Sequence, residues 1–141
     1  CPHGAPVSPI GFIADVPRGM AQGLSWARQF GLPIYVTENG VEDAEDQMRP
    51  AYMLRHLREV WKAANAGWQV KGYFHWSQVD NFEWERGWSQ RFGLWALDPA
   101  TQLRTRRKSA DLYAEICKRN GFHPETVQRL APEVFNELFG A

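Results

Sequence analysis

Two short stretches of the sequence hold the side chains best suited to chemistry. The first is the tetrapeptide Thr37-Glu38-Asn39-Gly40 and the second runs from Trp76 to Trp84, and each directly follows a short apolar run. Aromatic rings beside carboxylates suit a sugar, because the rings cover its apolar C–H faces and the carboxylates accept hydrogen bonds from its hydroxyls. We therefore expect the two stretches to be parts of one carbohydrate site.

Thr37 and Glu38 come directly after the apolar run 32–36, which predicts a buried strand. Reacting groups gather at the carboxyl ends of parallel strands, where a carboxylate can serve as a nucleophile, a general base or a metal ligand. The tetrapeptide alone also fits a plain strand-ending turn, in which Asn39 and Gly40 are chosen for their backbone conformation. Both interpretations stay open on these four residues.

The second stretch is denser in reactive and aromatic side chains than a core tryptophan followed by a solvated acidic loop would require. Trp76, Asp80, Asn81, Glu83 and Trp84 fall within nine residues. Asp80 and Asn81 have two interpretations of equal weight. They contact a substrate directly, or they fix the loop by bonding backbone amides.

The spacing of apolar residues predicts helices that alternate with strands. Leu54, Leu57, Trp61 and Ala64 fall on one face of the clearest helix. Such alternation is typical of parallel β–α–β units and of the α/β class. The predicted elements are a helix from Pro17 to Phe30, a strand over 32–36, a loop over 37–46, a helix over 51–67, a strand over 70–76, a hairpin with strands over 92–97 and 102–104, a helix over 110–120, and two short helical pieces over 124–139 interrupted near Pro132.

Composition narrows the classes of function. The 141 residues carry 16 basic and 16 acidic side chains, so the net charge of zero gives no support for nucleic acid or an anionic membrane as partner. Two distant cysteines, Cys1 and Cys117, show neither metal-ligand spacing nor a disulfide framework, which favours a reduced, cytoplasmic protein. No apolar run reaches the ~18 residues of a membrane span. Because the sequence opens on Cys1 instead of Met, we expect it to be a fragment.

The motifs are similar to those of glycoside hydrolase family 1, which contains β-glucosidases, β-galactosidases and related retaining β-glycosidases. The similarity extends from about Gly11 to Gly121, and its motifs are long, ordered and correctly spaced. It is carried by residues 34–40, 72–77, 80–84 and 91–94.

This resemblance implies a (β/α)8 barrel and a retaining mechanism that needs no metal and no cofactor. Asn39 and Asn81 are predicted to support the reacting and binding groups. By motif position, the resemblance implies that Glu38 is the nucleophile, that Trp76 is the platform under the reacting sugar, that Glu83 binds the hydroxyls at the far edge of that sugar, that Trp84 donates its indole N–H to a neighbouring hydroxyl, and that Phe92 is the wall beside the hydroxymethyl group.

The sequence departs from the family pattern at the second catalytic group. A retaining glycosidase needs another carboxylate about 5 Å from the nucleophile to protonate the leaving oxygen. The family's acid/base glutamate lies in an Asn-Glu-Pro segment on strand four, and that tripeptide does not occur here; Asn136-Glu137 lies in the C-terminal tail and lacks the proline. The strand-two arginine, the strand-one glutamine and the tyrosine near strand six also have no counterpart.

We therefore expect the last two strands of the barrel with their helices over residues 1–121, and a helical tail packed on the barrel over residues 122–141. Two strands cannot close a barrel, so a complementary polypeptide or a missing N-terminal part should carry the other strands. The expected substrate is a small β-glycoside or oligosaccharide, with gluco against galacto preference open. Without the acid/base group, the isolated chain should have no useful turnover. The alternatives are an inactive carbohydrate-binding module and a purely structural barrel fragment.

Overall fold

Helices and strands alternate through the first half of the chain, in a computed structural model that describes residues 3–140. The two strands pair in parallel, so the predicted β–α–β arrangement and the α/β class are confirmed. The strand that carries Glu38 is longer than predicted, because it continues through the residues expected to begin a loop. The elements are α1 (Pro17–Arg28), β1 (Ile34–Asn39), α2 (Arg49–Asn65) and β2 (Val70–His75).

Helix α2 lies against the sheet and forms much of the core. Pro50 stands in its first turn, where the missing N–H costs no helical hydrogen bond. Met53 and Leu54 are fully buried, as the apolar spacing requires. Of the four residues predicted to share one face, Leu54 and Leu57 are buried, whereas Trp61 is 56% exposed and Ala64 is exposed as well.

A second, antiparallel sheet follows as a hairpin of β3 (Trp95–Leu97) and β4 (Arg104–Arg106). The returning strand begins two residues later than predicted. The cause is the turn, in which the carboxylate of Asp98 accepts a hydrogen bond from the backbone N–H of Ala100 at 2.8 Å. The N–H of Asp98 then bonds the carbonyl of Leu103 at 3.0 Å, which closes a longer loop than a tight hairpin needs.

Four further helical segments follow the hairpin among the described residues. Leu112 from the first of them and Val127, Leu130 and Val134 from the tail join the core around Leu54. The helix over Pro124–Leu130 ends before Pro132, which has no N–H to donate, so the predicted interruption near Pro132 is confirmed. The segments are α3 (Lys108–Arg119), α4 (Pro124–Leu130), a short 3-10 turn (Pro132–Val134) and α5 (Phe135–Phe139).

The helices cover one face of the β1–β2 sheet and leave the other face open. On the open face, the side chains of Tyr35 and Phe74 are 56% and 57% exposed. Each strand has one paired edge, and among residues 3–140 no third strand joins this sheet. None of the described helices is long and apolar enough to cross a membrane.

Candidate active site

Strand β1 carries an extra residue at the point where it presents Glu38. Val36 pairs with Tyr73, and Asn39 pairs with His75, so three steps along β1 oppose two along β2. Such a bulge re-aims side chains, and bulges are frequent next to active sites. Glu38 is exposed, whereas the following residue, Asn39, is half-buried on the helical side.

The ends of the two strands are joined directly. The backbone N–H of Trp76, the first residue after β2, donates to the carbonyl of Asn39 at 3.0 Å. Gly40 lies so close that a β-carbon there would stand 1.7 Å from the carbonyl oxygen of Trp76. The peptide bond between Trp76 and Ser77 is cis. The segment that carries Glu38 and the segment that begins with Trp76 therefore lie at the same end of the sheet.

Trp76, Asn81 and Glu83 form one hydrogen-bonded cluster. The indole N–H of Trp76 donates to Glu83 Oε1 at 3.1 Å, and Asn81 Nδ2 donates to the same oxygen at 2.7 Å. The hydroxyl of Ser77 lies within hydrogen-bond distance of the carbonyl of Val79, at 2.8 Å, and of Asn81 Oδ1, at 3.1 Å. Since both donors use Oε1, the second oxygen of Glu83 receives no hydrogen bond from residues 3–140 and can accept from a sugar hydroxyl.

Asp80 has the geometry of a loop-fixing group. Its carboxylate is 3% exposed and accepts hydrogen bonds from the backbone N–H of Gly93 at 2.8 Å and from both terminal nitrogens of Arg107, at 2.9 and 3.1 Å. Gly93 itself lies against the backbone of Asp80, where a β-carbon would come within 2.2 Å of the amide nitrogen. Of the two interpretations of Asp80, the structure supports the one without direct substrate contact. Asn81 differs, because it holds Glu83.

The two remaining predicted binding residues stand in opposite environments. Trp84 lies at the tip of the loop, in a short 3-10 turn (Trp84–Arg86), with φ of 46° and 84% of its surface exposed. Phe92 is 5% exposed, and its carbonyl accepts a hydrogen bond from the N–H of Ser77 at 3.1 Å.

Two tyrosines near the site were missed by the sequence reasoning. Asn39 Nδ2 donates to the hydroxyl of Tyr52 at 3.1 Å, and the hydroxyl of Tyr73 donates to Asn39 Oδ1 at 2.8 Å. Burial raises the pKa of Tyr52 to about 12 and the pKa of Tyr73 well above its usual value, so both hydroxyls keep their protons. Tyr52 could have been identified from the sequence, because a tyrosine on the buried face of a helix needs a hydrogen-bond partner for its hydroxyl.

The nearby histidine is not a candidate acid or base. Burial, followed by the positive charge of Arg49, lowers the pKa of His75 to about 3, so its ring stays neutral. Its ring packs beside that of Tyr113, with centroids 5.9 Å apart. Among residues 3–140, no three His, Cys, Asp or Glu side chains are grouped so that they could hold a metal ion.

A groove among the described residues lies away from this site. It has a volume of about 550 Å³ and lies between α2, the start of β2 and α3, lined by residues such as Val60, Trp61 and Ile116. Glu38, Trp76 and Glu83 lie outside this lining. Of the predicted sugar-binding residues, Trp76 and Glu83 are half-buried, Trp84 is exposed and Phe92 is buried.

Comparisons with known proteins agree with this architecture. The family profile described as Glycosyl hydrolase family 1 matches residues 3–122. A β-galactosidase from Pyrococcus woesei is 44% identical over 117 residues, which are 82% of this chain and 23% of that protein. Beta-glucosidase A from Thermotoga maritima is 42% identical over 97 residues, covering 62% of this chain and 22% of that protein.

Solved structures give the same result. The β-glycosidase from the hyperthermophile Thermosphaera aggregans superimposes with a TM-score of 0.84 at 44% identity, over 92% of this chain and 27% of that one. The chain thus spans about a quarter of the length of the relatives that it matches. The prediction that it forms part of a (β/α)8 barrel is confirmed. Because the profile covers most of the sequence, the chain belongs to glycosyl hydrolase family 1.

Proposed function

We propose that the chain supplies the nucleophile and the sugar-binding loop of a retaining β-glycosidase. The substrate is a small β-glycoside or oligosaccharide with a terminal β-linked glucosyl or galactosyl residue. The observation that carries the proposal is the junction at the end of the sheet. There the exposed Glu38 and the cluster of Trp76, Asn81 and Glu83 stand on segments joined by the 3.0 Å hydrogen bond from the N–H of Trp76 to the carbonyl of Asn39.

In this mechanism a carboxylate oxygen of Glu38 attacks the anomeric carbon while the bond to the leaving oxygen breaks. A second carboxylic acid protonates that oxygen, and the products are an alcohol and a glycosyl ester on Glu38. Water, deprotonated by the same second carboxylate, then attacks the anomeric carbon. The ester bond to Glu38 breaks, which frees the sugar and regenerates the Glu38 carboxylate. Trp76 supplies an apolar platform, and the unbonded oxygen of Glu83 accepts from a hydroxyl.

The second carboxylate is proposed to come from a complementary polypeptide that carries the first six barrel strands. Two features support such a partner. Tyr35 and Phe74 expose a large apolar area on the open face of the sheet, and a barrel leaves no unpaired strand edges. On the neighbouring helix and the turn after it, Trp26, Phe30 and Leu32 are also more than half exposed. Alone, the chain should therefore bind sugar weakly and turn over no ordinary glycoside.

The test combines the chain with the complementary N-terminal segment of a family 1 β-glycosidase and measures hydrolysis of an aryl β-glucoside. Activity should appear only in the mixture, and Glu38→Gln should abolish it. Glu45→Gln, at an exposed glutamate of the following loop, is the matched control and should retain activity. Unchanged turnover in Glu38→Gln would remove Glu38 as the nucleophile.

Covalent trapping identifies the residue directly. A 2-deoxy-2-fluoroglucoside with an activated leaving group needs little acid assistance and leaves a slowly hydrolysed ester on the nucleophile. Peptide mapping of the treated mixture should find the label on Glu38. A label on Glu42 or Glu83, or none, would contradict the assignment.

A carbohydrate-binding role without catalysis is the second candidate. The free oxygen of Glu83 and the 84% exposed ring of Trp84 favour it, since both can contact a sugar without the rest of a barrel. Titration of the isolated chain with glucose or cellobiose, followed by tryptophan fluorescence, separates this role from a purely structural one. A response that Glu83→Gln removes would support binding, and no response at high millimolar sugar would exclude it.

The proposed location is the cytoplasm. Cys117 is a free, exposed thiol, and free thiols persist in reducing compartments. Labelling of Cys117 by a thiol reagent in freshly opened cells would check that it is reduced there.

A further inference from the structure

We propose that Tyr52 and Tyr73 are positioning residues for the nucleophile and act through Asn39. The inference rests on the proposed role of Glu38. It starts from the bulge in β1, which spans the residues between Val36 and Asn39. Within the bulge, the regular ladder of the sheet does not fix the backbone that presents Glu38. Another contact must therefore set the direction of its carboxylate.

Asn39 provides that contact, because it is held at both ends of its side-chain amide. Its Nδ2 donates to the hydroxyl of Tyr52 at 3.1 Å, and its Oδ1 accepts from the hydroxyl of Tyr73 at 2.8 Å. Its carbonyl accepts from the N–H of Trp76 at 3.0 Å. Asn39 is thus tied to α2, to β2 and to the start of the sugar-binding loop.

The two tyrosines are themselves firmly placed. Tyr52 is 4% exposed and stacks on His56 with ring centroids 3.9 Å apart, while His56 Nδ1 donates to the carbonyl of Tyr52 at 2.8 Å. The carbonyl of Tyr73 accepts from the hydroxyl of Tyr113 at 3.1 Å. The anchors therefore belong to the packed helical layer, not to the loop that they restrain.

Within the bulge the side chains do not alternate, because Thr37 and Glu38 are both exposed between the half-buried Val36 and Asn39. Fixing the side chain of Asn39 on the helical side therefore fixes the backbone from which its exposed neighbour Glu38 projects. The sugar itself is held elsewhere, by Trp76 and Glu83. Loss of either tyrosine hydroxyl should slow the attack of Glu38 while leaving the affinity for the sugar nearly unchanged, because a displacement of about 1 Å can cost roughly a hundredfold in rate.

The test measures formation of the glycosyl ester on Glu38 in the chain assembled with its complementary segment. The probe is 2,4-dinitrophenyl 2-deoxy-2-fluoro-β-glucoside, whose concentration dependence gives the rate constant and the affinity separately. Tyr52→Phe and Tyr73→Phe should each lower the rate constant roughly tenfold to a hundredfold. Thr101→Ala removes a hydroxyl from the exposed turn of the β3–β4 hairpin, away from Asn39, and it should label at the unmodified rate.

The Asn39→Ala background distinguishes positioning from loss of folding. If the tyrosines act through Asn39, neither Tyr→Phe substitution should slow labelling further once Asn39 is Ala. Additive losses in that background, or unmodified rates in both single tyrosine variants, would overturn the proposal. Absence of any label on Glu38 in the unmodified assembly would instead overturn the proposed function, so the two failures are distinguishable.

Discussion

Two carboxylates of the loop after β2, Asp80 and Glu83, have opposite environments, and the difference follows from their partners. Asp80 is 3% exposed and is surrounded by donors from Gly93 and Arg107. Glu83 is half-buried and uses one oxygen for Trp76 and Asn81. At the scale of the residue, therefore, Asp80 fixes the conformation of the loop, whereas Glu83 keeps one carboxylate oxygen that accepts no hydrogen bond from residues 3–140.

Replacement of Asp80 by Asn should destabilise the chain by about 3 to 5 kcal/mol. The substitution leaves the guanidinium of Arg107, whose side chain is 8% exposed, without its counter-charge, and an unpaired buried charge is expensive. Urea unfolding measures the effect. Asp111→Asn breaks an ion pair with Arg106 in which both partners are about half exposed, so it should cost less than about 1 kcal/mol. Equal losses in the two variants would contradict this account.

The buried histidine should make stability sensitive to acid. Burial lowers the pKa of His75 to about 3 in the folded chain. Between about pH 6.5 and pH 3, His75 is therefore protonated in the unfolded chain but neutral in the folded chain. The contribution of His75 to the free energy of unfolding should be fully present above pH 6.5 and should be lost progressively as the pH drops toward 3. His56, whose pKa burial also lowers, adds to the same slope.

Unfolding measured between pH 7 and 4 checks this prediction. His75→Gln should flatten the slope, whereas His123→Gln, at an exposed histidine, should keep it. A slope that is the same in the His75 variant and the unmodified chain would show that other groups cause the acid sensitivity.

At the scale of the element, the alternation of helices and strands could be predicted because the apolar spacing of 17–76 is set by the faces that each element buries. The bulge at Glu38 could not, since it depends on the register between β1 and β2 and not on the local sequence. The clamp on Asn39 was missed for the same reason, because Tyr52 comes from another element. Trp61 shares its predicted face with Leu54 and Leu57, but its side chain is 56% exposed, whereas Ala63 nearby is buried with Leu24 and Ile34.

The junction of the two strands depends on a glycine, and Gly40→Ala should disrupt it. A β-carbon at this position would lie 1.7 Å from the carbonyl oxygen of Trp76, so the two strand ends must move apart. We expect loss of sugar binding together with a drop in melting temperature. Gly23→Ala in α1, where no atom lies within 4 Å of the added carbon, should stabilise the chain by about 0.5 to 1 kcal/mol.

At the scale of the whole molecule, the helices cover only one of the two faces of the β1–β2 sheet. Leu54, Leu112 and the tail residues Val127 and Val134 make a closed core on the helical side. The other face, which a complete barrel would turn inward, exposes Tyr35 and Phe74, and Glu38 is exposed at the end of β1. The predicted nucleophile, Glu38, therefore stands at the end of a sheet whose second face is uncovered. The proposed partner would cover that face and complete the active site together.

A charge on the open face should block assembly while sparing the chain itself. Phe74 is 57% exposed, so Phe74→Glu should change the unfolding of the isolated chain little. In the assembled barrel the new carboxylate would lie in the interior without a partner, and the affinity for the complementary segment should fall by at least roughly a hundredfold. Leu103→Glu, at a 65% exposed leucine of the separate β3–β4 hairpin, is the matched control and should assemble normally. Sedimentation of the mixtures measures the affinity, and hydrolysis of an aryl β-glucoside should track it; equal assembly of the two variants would show that the open face is not where the barrel is completed.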